Sequence, residues 1–161
     1  MFVWLHIKRR LNGFAACERG TQLAELAIVI PLLILMLGAV AEFGRFFYTY
    51  TTLSKATRAG ARYLITRPVG SVSEDDAKKL VVCGDVSVAS CGGANALLDG
   101  LETTNVDIEP SGNPGVPDTV KVQIINYRYQ PLFDLGKLTG VSALSLSIDV
   151  SPSTTMRYLL T

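Results

Sequence analysis

Histidine is nearly absent from this sequence: its one histidine, His6, stands close to the N-terminus. No histidine after residue 6 means no Ser-His-Asp or Cys-His catalytic group, no histidine metal site and no histidine general base in the rest of the chain. The P-loop, G-x-S-x-G, G-x-G-x-x-G and H-E-x-x-H patterns are absent as well. We therefore expect no enzyme activity, no catalytic residues, no cofactor and no metal.

Charge is scarce and balanced. The chain has 15 Lys and Arg against 14 Asp and Glu, and charged residues make up 18% of its 161 residues. A phosphate-binding face usually leaves a clear basic excess, so nucleic acid is not an expected partner. The length suits one modest domain with an attached segment. A mean hydropathy of +0.32 is high for such a domain, and the apolar excess is concentrated near the N-terminus.

Residues 21–41 form a candidate membrane span. Residues 26–41 carry no charge, and Glu25 is the one ionisable residue of the segment. At 1.5 Å per residue, a helix of this length spans roughly 30 Å, about one hydrocarbon core. The alternative is a buried core helix, but a domain of this size rarely hides so uniformly apolar a helix.

The charges on either side of the span predict its orientation. The basic residues before it, offset by Glu18, are Lys8, Arg9, Arg10 and Arg19. After it, Glu42 and Arg45 cancel. The positive-inside rule therefore predicts a cytoplasmic basic leader at residues 1–20 and an extracytoplasmic C-terminal part.

Two other interpretations of this segment remain open. The span can be an uncleaved anchor that holds a scaffold or binding module of a secretion system. Alternatively, residues 26–37 can be the apolar region of a signal peptide, cut at Ala39-Val40-Ala41 to release a secreted domain that begins at Glu42. The helical pattern that continues past Ala41 argues against the second interpretation, because the cleavage region is usually extended.

Glu25 is the distinctive residue of the span. A carboxylate in a membrane helix costs about 2.5–3.5 kcal/mol at mid-membrane and less near the interface, so it is a functional candidate. Gly20 stands five residues before it. The order of basic leader, Gly, four residues, Glu and long apolar helix resembles the N-terminus of type IV prepilins.

The prepilin resemblance implies processing and an assembly role. Prepilins are cut after the Gly by a prepilin peptidase on the cytoplasmic side, so the cut would follow Gly20 and leave Thr21 as the mature N-terminus. Glu25 would then pair with the free amine of a neighbouring subunit. A buried carboxylate needs a cation, and an α-amino group at the same depth supplies one.

The helix is predicted to continue outward to residue 66, with a bend near Pro31 and a stop at Pro68. An aromatic belt follows the span: Phe43, Phe46, Phe47, Tyr48 and Tyr50. The amphipathic part has a polar stripe of Lys55, Arg58 and Arg62. Its opposite face carries Leu53, Ala56, Ala59, Gly60, Tyr63 and Leu64. The small residues of that face would allow close packing, on the domain or on a partner helix.

Several residues of this helix carry a sharper resemblance. They are Arg19-Gly20, Glu25, Pro31, Glu42-Phe43-Gly44-Arg45 and the run from Ala56 to Tyr63. The segment resembles TadE-like proteins, which are minor pilins or pseudopilins of the tight-adherence (Flp, type IVb) pilus. Leu26 and Ala59 depart from the usual pattern. The resemblance implies a bacterial inner-membrane protein, cytoplasmic at its N-terminus, that contacts other pilin subunits through this helix during pilus assembly.

Residues 67–161 are predicted to form a small α+β domain, in which the long helix packs on an antiparallel sheet. A helix is expected from an N-cap at Ser73, with Lys78 and Lys79 towards its end, and a stop at Gly84. Strands are expected at residues 103–109, at 119–129 and at 144–150, where the alternation is clearest. Tyr127-x-Tyr129-x-Pro131 and Met156-Arg157 also resemble the C-terminal part of TadE-like proteins.

Cysteine usage agrees with this topology. Cleavage after Gly20 would remove Cys17 and leave Cys83 and Cys91, both outside the cytoplasm, where an oxidising compartment favours a disulfide. Closing so short a loop contributes roughly 2–3 kcal/mol in the chain-entropy account. Two buried free thiols are the alternative, whereas zinc would lack ligands.

Overall fold

The computed structural model describes residues 18–159, except 69, 114, 115, 135, 138, 139, 143, 144 and 146. It divides into two compact units, Met1–Ala41 and Glu42–Thr161. Most of the predicted leader, with His6 and Cys17, lies outside the described residues.

One long helix, α1, spans Glu18–Leu64. It begins a little earlier and ends a little sooner than predicted, because the chain turns at residues 65 and 66 ahead of Pro68. The part Gly20–Leu64 is long and apolar enough to cross a membrane by length and composition. None of its most apolar window is buried inside the chain, which argues against a core helix.

The second half of α1 is amphipathic as predicted. Lys55, Arg58 and Arg62 are exposed. The buried side comprises Leu53, Ala56, Thr57, Gly60, Ala61 and Leu64. Ala59 was expected on the packing face, and this was wrong: it is exposed, since its position lies one turn from Lys55, on the polar stripe.

The second helix, α2, spans Ser71–Cys83. The predicted N-cap at Ser73 was wrong: Gly70 holds that position without a side-chain cap, and Ser73 lies inside the first turn. The last turn contains no basic residue, so Lys78 and Lys79 lie too early to complement the helix dipole. Gly84 does end the helix, with φ of 76° and its N–H bonded to the Leu80 carbonyl.

Three antiparallel strands form one sheet in the order β1-β2-β3. They are β1 (Val106–Asn113), β2 (Val116–Ile124) and β3 (Ser153–Arg157). Val122, in the middle strand, pairs with Ile108 on one side and Thr154 on the other. The predicted fold class, a long helix followed by a small antiparallel sheet, is confirmed.

All four boundaries of the first two strands differ from the prediction: the first strand ends at Asn113, beyond residue 109, and the second begins at Val116, ahead of residue 119. The first strand begins at Val106 because residues 103–105 form a short 3-10 turn, in which the Asn105 side chain accepts a hydrogen bond from the Glu102 N–H. The second ends at Ile124 because Asn126 adopts a left-handed conformation with φ of 53°.

The predicted strand at residues 144–150 is the clearest error. Leu144 and Leu146 lie outside the described residues, and in the described remainder Asp149 makes an isolated bridge with Arg128. The third strand is instead β3, whose sequence STTMR carries almost no apolar alternation.

The core of the second unit lies between α1, α2 and the sheet. Its fully buried apolar side chains include Leu53, Val81, Val82, Leu101, Val122 and Ile124. A hydroxyl contact of 3.1 Å between Thr57 and Thr154 joins α1 to β3. A disulfide links Cys83, the last residue of α2, to Cys91, with Cα atoms 6.0 Å apart. It fastens the loop after α2 to the helix.

Gly60 fixes the approach of α1 to α2, because a Cβ there would lie 2.5 Å from Val81 Cγ2. We expect Gly60→Ala to lower the free energy of unfolding by about 1–3 kcal/mol, since overpacking outweighs the roughly 1 kcal/mol gain in helix propensity. Gly44→Ala is the matched control, since its Cβ would meet nothing within 4 Å. Urea unfolding of the full chain in detergent, followed by circular dichroism, measures both. A Gly60→Ala protein as stable as the parent would contradict this packing.

Candidate functional site

Gly20, Thr21 and Glu25 all lie in the first turns of α1 and are exposed. Thr21 and Glu25 stand four residues apart, so they share one face of the helix, one turn from each other. Within the described part of the chain, no Lys or Arg forms an ion pair with Glu25. This carboxylate therefore has no charge partner among the described residues of its own chain.

A second carboxylate, Glu42, has the opposite environment. Its side chain is fully buried, with 0% exposure, although it belongs to the residue directly after the predicted span. The Tyr129 hydroxyl donates to Oε1 at 2.6 Å. The backbone N–H of Leu132 donates to Oε1 and that of Phe133 to Oε2, each at 3.2 Å. Both oxygens are thus satisfied by donors from one loop.

Hydrogen bonds of this kind offset the cost of burying the carboxylate. An ionised group removed from water without partners costs far more than a neutral one, whereas each hydrogen bond to a charged group contributes about 1.5–3 kcal/mol. The donors come from residues 129–133, 87 or more positions away in sequence. Glu42 therefore fastens this distant loop to the start of the amphipathic half of α1.

Tyr129 is itself held on several sides. Its ring meets the edge of Phe46, one turn after Glu42, with centroids 5.4 Å apart and an interplanar angle of 82°. Its backbone N–H donates to the Ile148 carbonyl at 3.0 Å. Burial, and then the hydrogen bond and charge of Glu42, raise the pKa of Tyr129 to about 12. The hydroxyl therefore stays protonated, and able to donate, further into the alkaline range than an ordinary tyrosine.

An open cleft of about 640 Å³ lies beside Tyr129 in the second unit. Its charged lining residues are Arg45, Asp99 and Arg128. Arg128 pairs with Asp149 at 3.5 Å on the surface. Across the described residues, no group of three or more His, Cys, Asp or Glu is placed to hold a metal.

The sequence alone did not single out Glu42. From the sequence, the charge of Glu42 was expected only to cancel that of Arg45. The structure instead buries Glu42 and leaves Arg45 exposed. Two segments noted separately for their family resemblance, Glu42-to-Arg45 and Tyr127-to-Pro131, meet at this carboxylate. The family resemblance of both segments was the one signal in the sequence that could have suggested a contact between Glu42 and Tyr129.

Comparison with known families agrees with the long helix. Residues 20–62 match the TadE family, described as TadE-like protein. The match begins at Gly20, includes Glu25 and Glu42, and covers about a quarter of the 161-residue chain. The TadE-like resemblance is confirmed over this segment. No curated protein and no solved structure matches the chain.

Removing the Glu42 carboxylate leaves buried donors without partners. We expect Glu42→Ala to lower the free energy of unfolding by about 3 kcal/mol, and Tyr129→Phe by about half as much. Glu109→Ala is the control, because Glu109 is exposed and pairs with Lys121 at 3.0 Å on the surface, so its loss costs less than about 1 kcal/mol. Denaturant unfolding of the three variants tests this order. Equal effects of Glu42→Ala and Glu109→Ala would contradict the tether.

The raised pKa of Tyr129 predicts a loss of stability in strong alkali. Its folded pKa, about 12, exceeds the ordinary value of 10.0, so the stabilisation is complete below pH 10 and is lost as pH rises through 12. We expect the stability gap between the parent and Tyr129→Phe to shrink over this window, as measured by denaturant unfolding at each pH. A gap that stays constant up to pH 12 would show that Tyr129 does not carry this shift.

Proposed function

We propose that this protein is a minor pilin or pseudopilin of a tight-adherence type IVb pilus, cleaved after Gly20 by a prepilin peptidase. The observation that carries the proposal is the TadE-like match, which starts at Gly20 and continues along α1. The role is structural: the protein takes part in assembling the fibre with other pilin subunits and performs no chemistry of its own.

Glu25 has the environment that an assembly carboxylate needs. It is exposed on an otherwise apolar segment and has no ion-pair partner within the described chain. In a membrane such a group is costly until a cation meets it. The amine freed at Thr21 of a neighbouring subunit is a cation that would lie at a similar depth. An ion pair between the Glu25 carboxylate and this amine would favour an arrangement in which neighbouring helices lie side by side in register.

The secreted-domain alternative fits the structure poorly. Cleavage after Ala41 would cut within α1 and make Glu42 the first residue. Glu42 is the buried carboxylate that fastens the loop at residues 129–133, and a new charged terminus would have to lie beside it. The other alternative, an unprocessed membrane anchor, has the same span and the same domain as the proposed pilin. It differs from the pilin in that it keeps residues 1–20.

Removing the charge at residue 25 tests the assembly mechanism. We expect Glu25→Gln and Glu25→Ala to insert into the membrane at the parent level but to abolish incorporation into pili, because both remove the carboxylate. Gln22→Ala, one turn earlier on the same helix, is the control and should assemble normally. Membrane fractionation and immunoblotting of sheared pili measure the two steps. Normal pili from the Glu25→Gln strain would refute the mechanism.

A further inference from the structure

The loop bound by Glu42, residues 131–133, presents large apolar side chains to the outside. Leu132 is 71% exposed and Phe133 is 54% exposed, although their backbone N–H groups are fixed on the Glu42 carboxylate. In a water-soluble domain, adjacent exposed Leu and Phe side chains on a short loop are unfavourable unless something covers them. We call this segment the Glu42-bound loop.

Hydrogen bonds hold the loop at both of its ends. Tyr129, just before it, is buried and bonded to Glu42. Asp134, just after it, accepts hydrogen bonds from the Gly136 N–H at 3.0 Å and the Lys137 N–H at 3.3 Å. The side chains of Leu132 and Phe133 are therefore presented in a fixed position, so little conformational entropy is lost when they bind a surface.

Chain connectivity brings this loop to the C-terminal end of the proposed span. Glu42 follows Ala41, the last residue of the predicted span, and the loop is hydrogen-bonded to Glu42 itself. The neighbouring aromatic residues Phe43 and Phe47 are 62% and 59% exposed, as expected for side chains at an interface. Leu132 and Phe133 thus extend the same apolar belt from a second segment of the chain.

We propose that the Glu42-bound loop inserts into the outer leaflet of the membrane and seats the extracytoplasmic unit on the lipid surface before assembly. This inference depends on the membrane-spanning role of residues 21–41 in the proposed function. The occupant is lipid because the loop is tied to the first residue after the span, and because both exposed side chains are uncharged and suited to the interface.

The test uses the full chain in vesicles of phosphatidylethanolamine and phosphatidylglycerol, with or without lipids brominated on their acyl chains. The single tryptophan is removed by Trp4→Phe, and Phe133→Trp then reports on the loop. Val72→Trp is the distant control: Val72 is 74% exposed and comes after Leu64, the end of α1, which lies about 33 Å along the helix from Glu42. Phe43→Trp reports whether the chain has inserted.

We expect brominated lipid to quench most of the Phe133→Trp emission and to leave the Val72→Trp emission unchanged. Quenching of Phe43→Trp without quenching of Phe133→Trp would overturn the proposal while leaving the span intact. If neither is quenched, the membrane-spanning assignment fails and the proposed function with it. A Phe133→Trp signal that follows the protein-to-lipid ratio and ignores bromination would assign the loop to a second copy of the chain instead of lipid.

Discussion

The structure of the second unit depends on one buried carboxylate. Glu42 has no exposed surface, and its two oxygens accept hydrogen bonds from the Tyr129 hydroxyl and from two backbone N–H groups. Charge at this depth is tolerated only while those donors are in place, so the loop at residues 129–133 must stay on α1. The ring of Phe46 packs on the same tyrosine, and the Ile148 carbonyl accepts a hydrogen bond from its backbone N–H.

Two carboxylates, one at each end of the apolar segment, have opposite environments. Glu25 is exposed and has no charge partner within the described chain, whereas Glu42 is fully satisfied from inside its own unit. A satisfied carboxylate has little to gain from another subunit, and an unsatisfied one in lipid has much to gain. This contrast supports our proposal that Glu25 pairs between subunits, whereas Glu42 holds the loop within its own unit.

Local patterns predicted the helices well and the sheet only in part. The apolar run, the stripe of Lys55, Arg58 and Arg62 and the stop at Gly84 each depend on neighbouring residues, and the structure contains all three. The third strand was missed because β3 is short and rich in Ser and Thr, so its pairing with β2 depends on a partner about 35 residues away and not on alternation.

The site followed the same division. Gly20, Thr21 and Glu25 were recognisable because they lie close together in sequence, directly after the basic leader. The Glu42 tether was not, because its donors stand 87 or more positions away and two of them are backbone N–H groups, which any residue supplies. The sequence around an acidic residue does not reveal whether backbone N–H groups from a distant segment will bind its carboxylate.

The most direct test of the account is the N-terminus of the native protein, measured by intact mass and peptide sequencing in its own host. The account predicts a mature chain that begins at Thr21, and a Gly20→Asp protein that keeps its leader. A native chain that retains Met1 would contradict prepilin processing and leave a membrane anchor with a TadE-like helix. A chain that begins at Glu42 would contradict both the processing and the pilin role.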